Sequence, residues 1–255
     1  MNEAVERAAQ YLAELRRGRR AGPRLPEECR PYDVQSALAI QSRVGQLLGG
    51  SIGGWKCSAP SGEKIMAAPI YAADIHTGSR CPVSAASSTA SIEPEIAFVM
   101  ARDLPPRSQP YSQSEVQAAI GEARLVLELI GSRYADAKNA GFLEKLADSL
   151  SNLGLYLGPV IPGGVTPEMG SFPISMEADG KPFFTGQGRH PDGHPFVALH
   201  WLANFLPGRG QGLKSGEVIT TGSYAGVVEA PVGEPLRIVF GNMGNIGVIE
   251  LQLVG

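Results

Sequence analysis

Apolar positions near the start of the chain recur at helical spacing, with Val5, Ala8, Ala9, Leu12 and Leu15 on one face. Arg16, Arg17, Arg19 and Arg20 follow, where cations favour the C-terminal end of a helix. The segment Gly22-Pro23-Arg24-Leu25-Pro26 breaks the pattern. A second helix is predicted from Asp33 as N-cap, through Val34, Ala37, Leu38, Gln41, Val44 and Leu48, to Gly49-Gly50. Residues 1–50 therefore read as an N-terminal helical segment, a packing or oligomerisation appendage, and residues 51–255 as the main domain.

Beyond Gly50 the pattern becomes that of strands. Ser91 to Met100 reads as one, and Arg124 to Ile130 as a short apolar one. Between them Ser112-Gln113-Ser114-Glu115 is a capping box opening a helix of about ten residues. Phe172 to Ala178 and Lys181 to Thr185 flank the turn pair Asp179-Gly180. His194 to Leu206 is an amphipathic helix stopped by Pro207-Gly208, and strands are predicted at Val218 to Thr221, Leu236 to Phe240 and Ile246 to Leu253. Strands and helices do not alternate regularly, so the pattern predicts an α+β, strand-dominated domain rather than a doubly wound sheet.

Composition narrows the function. With 43% hydrophobic and 18% charged residues in 255, the chain has the makings of an ordinary globular core. A formal net charge of −3 implies no basic face, so neither nucleic acid nor an anionic membrane is an expected partner. Cys29, Cys57 and Cys81 form no CxxC, which argues against a disulfide framework or zinc ribbon and for a reducing, cytoplasmic setting. The first fifteen residues lack the apolar stretch of a signal peptide, and no run approaches the roughly 18 apolar residues of a membrane span.

The chemical anomaly lies in Ile92-Glu93-Pro94-Glu95-Ile96-Ala97-Phe98-Val99-Met100. Alternation along a strand puts Glu93 and Glu95 on one face with Ala97 and Val99. Two adjacent carboxylates leading into an apolar run repel each other and resist desolvation, and a divalent cation removes both costs. Pro94 has no N–H for a ladder, which places this piece at an edge or the mouth of a sheet. Glu128 repeats the anomaly within Leu125-Val126-Leu127-Glu128-Leu129-Ile130. Three carboxylates without His or Cys suit a hard ion, Mg²⁺ or Mn²⁺. The alternative has Glu93 and Glu95 facing solvent while Glu128 pairs with Arg124 or Arg133, and the pattern alone does not choose.

Lys56, in Gly53-Gly54-Trp55-Lys56-Cys57, is a second candidate, as a buried cation that reads a carboxylate or moves a proton, against the ordinary solvated lysine. His190 and His194 are four apart, but Pro191-Asp192-Gly193 between them forbids the zinc-helix motif. Ser223 has no nucleophile-elbow context, and no phosphate-binding glycine loop occurs.

Taken together, Gly54-Trp55-Lys56, Ile92 to Val99, Leu127-Glu128-Leu129-Ile130-Gly131-Ser132-Arg133-Tyr134, Gly193-His194-Pro195 with Trp201-Leu202-Ala203, and Thr220-Thr221-Gly222-Ser223 resemble one family. It is the 2-keto-4-pentenoate hydratase and 4-oxalocrotonate decarboxylase branch of the fumarylacetoacetate hydrolase superfamily, and the resemblance runs from about Tyr32 to Val254. It implies a mixed β-sandwich or roll, homo-oligomeric assembly or association with another enzyme of the pathway, and Mg²⁺ or Mn²⁺ on Glu93, Glu95 and Glu128. Lys56 matches a catalytic lysine, and Trp55, Ser132, Arg133, Thr221, Gly222 and Ser223 fall at substrate-binding positions. The expected activity is a hydratase adding water to a 2-hydroxy-2,4-dienoate in meta-cleavage aromatic degradation. Alternatives are 2-oxo-acid decarboxylation, acylpyruvate hydrolysis and a non-catalytic 2-oxo-acid-binding or partner subunit. The family's Pro-Asp-Tyr-Gly is Pro69-Ile70-Tyr71-Ala72 here, so its proton-transferring acid is replaced by Ile70, with Asp74 as a candidate substitute. Its Asp-Asn-Ala-Ser segment is half retained as Asp148-Ser149-Leu150-Ser151.

Overall fold

The computed structural model describes residues 3–62, 64–84 and 88–255. Helices α1 (Glu3–Arg17) and α2 (Val34–Leu48) form a hairpin. The Asp33 side chain accepts from the Ser36 amide at 2.7 Å, the Asp33 amide donates to the Ser36 hydroxyl at 3.1 Å, and Gly49 closes α2 in a left-handed conformation. The apolar stripes of both helices pack with Ala68, Tyr134, Leu146 and Leu150. Among the described residues no helix is long and apolar enough to cross a membrane.

The remainder is two sheets. One contains β1 (Ile52–Ser61), β2 (Lys64–Tyr71), β3 (Ile75–His76), β5 (Thr89–Met100), β6 (Ile120–Ile130), β7 (Asn152–Val160) and β10 (Val218–Thr220), in the spatial order β2-β1-β10-β5-β6-β7-β3. A further strand, β11 (Val228–Pro231), pairs with the early half of β5. The second sheet orders β4 (Arg80–Pro82), β13 (Gly247–Val254), β12 (Pro235–Phe240), β8 (Ser171–Ala178) and β9 (Lys181–Arg189). Strands β2 and β3 stand at opposite ends of the first sheet, yet only residues 72–74 connect them. The sheet therefore curls back on itself. Its concave face encloses Ile70, Ala97, Val126, Leu155 and Val218, contributed by five strands and all buried.

The convex face carries the other half of the alternation. Ile92, Ile96, Phe98, Leu125 and Leu127 join the main core with Ile249 and Leu251 of the second sheet. Helix α5 (Pro195–Phe205) adds Ala198, Leu199 and Leu202 to that core. Among the described residues two further short α-helices are α3 (Gln113–Ala119) and α4 (Phe142–Ala147). The capping box of α3 is present, but the helix has seven residues rather than about ten. Ile120 turns to extended backbone because it pairs with Met100, and β6 consequently starts four residues before Arg124. Pairing with a neighbouring strand here outweighs local helix propensity.

Gly54 marks the tightest approach in the curl. It pairs in parallel with Val218, and a Cβ at this position would lie 2.1 Å from the Val218 carbonyl oxygen. Gly54→Ala must push β1 away from β10 and should cost about 1–3 kcal/mol, the usual range for overpacking. Urea unfolding would measure it. An unchanged midpoint would mean that β1 and β10 are not this close.

Candidate metal centre

The β5–β6 ladder assembles the three glutamates. Glu93 stands directly opposite Glu128, and Glu95 lies two residues further along β5, opposite Val126. All three therefore share the concave face. One oxygen of each lies within 4.8 Å of the others, with Glu95 and Glu128 buried and Glu93 half-buried. Like charges directly opposed in a ladder are destabilising, more so in a dry interior.

Pro94 does not mark an edge, contrary to the sequence expectation. Strand β5 is interior, with β6 on one side and β10 and β11 on the other. Its partners on that second side stop short of the proline, since β10 pairs with Ala97–Val99 and β11 with Thr89–Ile92. The intervening turn bonds Pro94 instead, the Tyr224 amide donating to its carbonyl at 3.0 Å. In an antiparallel strand N–H and C=O of one residue point the same way, so the missing N–H falls in this gap and costs nothing.

Hydrogen bonds fix the carboxylates. Thr220 Oγ1 donates to Glu95 Oε2, and the Gly222 amide donates to the same oxygen at 2.9 Å. Lys56, on the inward face of β1, donates from Nζ to Glu128 Oε1 at 2.5 Å and to the Leu150 carbonyl at 3.1 Å. Asn152 Nδ2 donates to Glu128 Oε1 at 2.9 Å. Among the described residues no hydrogen bond reaches the second oxygen of Glu95 or Glu128. Those oxygens are left to each other and to whatever the site receives. The Leu150 carbonyl is delivered by an unusual turn, because Ser149, Leu150 and Ser151 have φ of 58°, 54° and 63°. Left-handed backbone at non-glycine residues costs about 1–2 kcal/mol each. Such local strain persists only where the surroundings impose it.

The electrostatics follow from this crowding. Burial, then repulsion from Glu128, raises the Glu95 carboxyl to about 8. Glu93 is raised for the same two reasons, offset in part by Lys56. Burial would lower the Lys56 ammonium, but Glu128, Glu93 and Glu95 outweigh it and hold the group above its ordinary value. With all groups ionised, one ammonium faces three carboxylates, a formal charge of −2. Oxygen donors alone, converging with this charge, are the donor set of a hard divalent cation.

Not every candidate from the sequence reaches this site. Trp55 faces the opposite side of β1, where its Nε1 donates to Glu217 Oε2 at 3.3 Å. Neither Arg124 nor Arg133 pairs with Glu128: Arg124 bonds Glu122, and Arg133 is buried against Asp148 at 3.1 Å. Arg133 also donates to the Asn152 carbonyl at 3.0 Å, so it acts on the triad one residue removed. Ser132 Oγ accepts from the Tyr134 amide, Thr221 Oγ1 donates to the Ile96 carbonyl, and Ser223 Oγ donates to the Gly226 carbonyl. Asp74 is held by Arg16 at 3.4 Å in a separate cleft, and Ile70 lies on the enclosed apolar face. The sequence assigned no site role to Asn152, Thr220 or the Leu150 carbonyl, although Thr220 opens the Thr220-Thr221-Gly222-Ser223 motif and Leu150 lies within Asp148-Ser149-Leu150-Ser151, which Asn152 directly follows.

A family model described as fumarylacetoacetate (FAA) hydrolase C-terminal matches residues 56–250. The 2-hydroxyhexa-2,4-dienoate hydratase of Comamonas testosteroni is 31% identical over 156 residues, which is 61% of this chain and 58% of that protein. The chain thus spans under two thirds of that relative's length. The 2-oxo-hept-4-ene-1,7-dioate hydratase of Escherichia coli is 28% identical over 232 residues, 84% of this chain and 85% of that one. Among solved structures, 4-oxalocrotonate decarboxylase from Pseudomonas putida G7, complexed with magnesium and adipate, superposes with a TM-score of 0.76 at 18% identity, covering 99% of this chain and 98% of that one. With the family model spanning most of its length, this chain belongs to the fumarylacetoacetate hydrolase family.

Proposed function

We propose that the chain is a divalent-metal-dependent lyase that adds water to a 2-hydroxy-2,4-dienoate and yields a 4-hydroxy-2-oxo acid. The observation that carries this reading is the convergence of Glu93, Glu95 and Glu128 beside Lys56. The hydratases among its relatives support the choice of reaction. Glu93, Glu95 and Glu128 would hold Mg²⁺ or Mn²⁺, and such an ion, when bound, polarises the C2 oxygen of a 2-oxo acid and stabilises the negative charge that builds there.

The chain's own groups do the rest. Lys56 spends one N–H on Glu128 and one on the Leu150 carbonyl, leaving a third to bind the substrate carboxylate or to pass a proton. In the reaction the C2 hydroxyl loses its proton and C5 gains one, which gives an α,β-unsaturated ketone. Hydroxide from water then adds at C4 and the remaining proton goes to C3. Ile70 carries no proton, so Lys56 is the nearest titratable cation for these transfers. Ile70, Ala97 and Val218 also form an apolar floor that keeps water from that side of the concave face.

A second reading, decarboxylation, is the alternative: a 4-oxalocrotonate decarboxylase of Pseudomonas putida, 26% identical over 132 residues, is among the relatives, and Ile70 stands where the family's acid is expected. There the same polarised carbonyl would accept the electron pair left by departing CO₂. Product masses separate the two, since one reaction gains a water and the other loses CO₂.

Glu95→Ala should weaken Mn²⁺ binding by at least about 100-fold and abolish metal-dependent bleaching of the dienoate chromophore. Calorimetry and absorbance would read these. Unchanged Mn²⁺ affinity would show that the metal lies elsewhere.

The metal-free protein should also lose stability as pH rises. Glu93 and Glu95 have folded-state pKa values above the unfolded value of 4.5, so between that value and about 8 the folded state binds more protons than the unfolded one. The melting temperature in EDTA should fall across this window, and Mg²⁺ should restore more of it at pH 8 than at pH 5. A melting temperature that rises with pH in EDTA would contradict the buried like-charge cluster.

A further inference from the structure

The turn that supplies Glu95 with its Gly222 donor is itself held by a buried histidine. His190 is 4% exposed and lies just beyond β9. The Asp192 amide donates to its Nδ1 at 3.1 Å, which makes Nδ1 an acceptor and leaves the proton on Nε2. Nε2 lies 3.3 Å from Thr221 Oγ1, whose own proton is directed to the Ile96 carbonyl at 2.9 Å. Donors and acceptors therefore run in one direction, from Asp192 through His190 and Thr221 to the backbone next to Glu95.

Further contacts seat the same segment. Gly222 has φ of 121°, and a Cβ there would lie 2.7 Å from Pro191 Cγ, so His190-Pro191 presses directly on Thr221-Gly222. The Tyr224 ring meets the His190 ring edge-on at 5.3 Å, while its amide fills the gap at Pro94. On the other side, the His190 amide donates to the Gly170 carbonyl at 2.8 Å, and the Asp192 carboxylate accepts from the Ala59 amide at 2.8 Å. The segment 190–192 thus joins the end of the second sheet to the turn over β5. Burial keeps the imidazole neutral, with its pKa lowered to about 4, as this hydrogen-bond direction requires.

We propose that His190 is a positioning residue for the metal centre: through Thr221 it fixes the Thr221-Gly222 turn, so that the Gly222 amide orients the Glu95 carboxylate for the cation. The proposal rests on the metal reading above. Neither His190 nor Thr221 touches the carboxylates as a ligand, and the effect is one of orientation. Partners that orient metal ligands typically contribute about 10- to 100-fold in affinity.

The test is Mn²⁺ affinity, by calorimetry on the full chain, for wild type, His190→Phe, His190→Gln, Thr221→Val and the double variant His190→Phe/Thr221→Val. His190→Phe keeps the ring volume and removes both nitrogens, and should weaken Mn²⁺ binding at least about tenfold. Thr221→Val should weaken it similarly, and the double variant should be no weaker than either single one, because both cut the same link. His190→Gln retains a donor toward Thr221 and should recover most of the affinity. Melting in EDTA identifies the variants that fold; should His190→Phe fail to fold, Thr221→Val alone decides. Folded single variants that bind Mn²⁺ within twofold of wild type, or a double variant whose losses multiply, overturn the role of His190. Wild-type protein that binds no Mn²⁺ overturns the metal reading and this inference with it.

Discussion

Glu93 faces Glu128 across an antiparallel ladder, on the enclosed side of a curled sheet, with Glu95 two residues away. Most of what surrounds the site answers that one destabilising arrangement. Lys56 neutralises part of the charge, Asn152 and Thr220 donate to the carboxylates, and Gly222 adds a backbone amide. None of these comes from β5 or β6. The β5–β6 pairing creates the electrostatic problem, and segments distant in sequence partly relieve it.

The relief is incomplete, and that is informative. Glu95 and Glu128 each accept hydrogen bonds at one oxygen only among the described residues. The carboxyl groups of Glu93 and Glu95 are pushed upward accordingly. Ser149, Leu150 and Ser151 meanwhile hold three consecutive left-handed residues in order to present one carbonyl to Lys56. Left-handed backbone and like charge are thus gathered around one cluster of carboxylates that could bind a divalent metal.

Ile70 gives the other half of the picture. It sits with Ala97, Val126, Leu155 and Val218, buried within the curl, and two of these stand directly beside the acids, Val126 opposite Glu95 and Leu155 opposite Glu128. Ile70 adds no titratable group beside Lys56 and the three glutamates. Arg16, Asp74, Arg133 and Asp148 form a separate group of ion pairs, linked to the triad by Asn152, whose carbonyl Arg133 holds and whose side-chain amide reaches Glu128.

Local chemistry alone determined the two N-terminal helices, the caps at Asp33 and Ser112, the Asp179-Gly180 turn and the inward alternation of Glu93 and Glu95. Each of these depends on residues within one turn or one strand. The sequence also exposed the acids as anomalies, since a carboxylate in an apolar run is costly whatever the fold. Tertiary structure alone decided that Pro94 lies inside the sheet, because the gap it occupies is left by β10 and β11, more than 120 residues further on. It alone paired Lys56 with Glu128 rather than Arg124 or Arg133, since curling brings β1 to face β6 across the enclosed side. His190 shows the limit most clearly: its role depends on a turn thirty residues away, and no spacing in the chain records which buried donor will meet which acceptor.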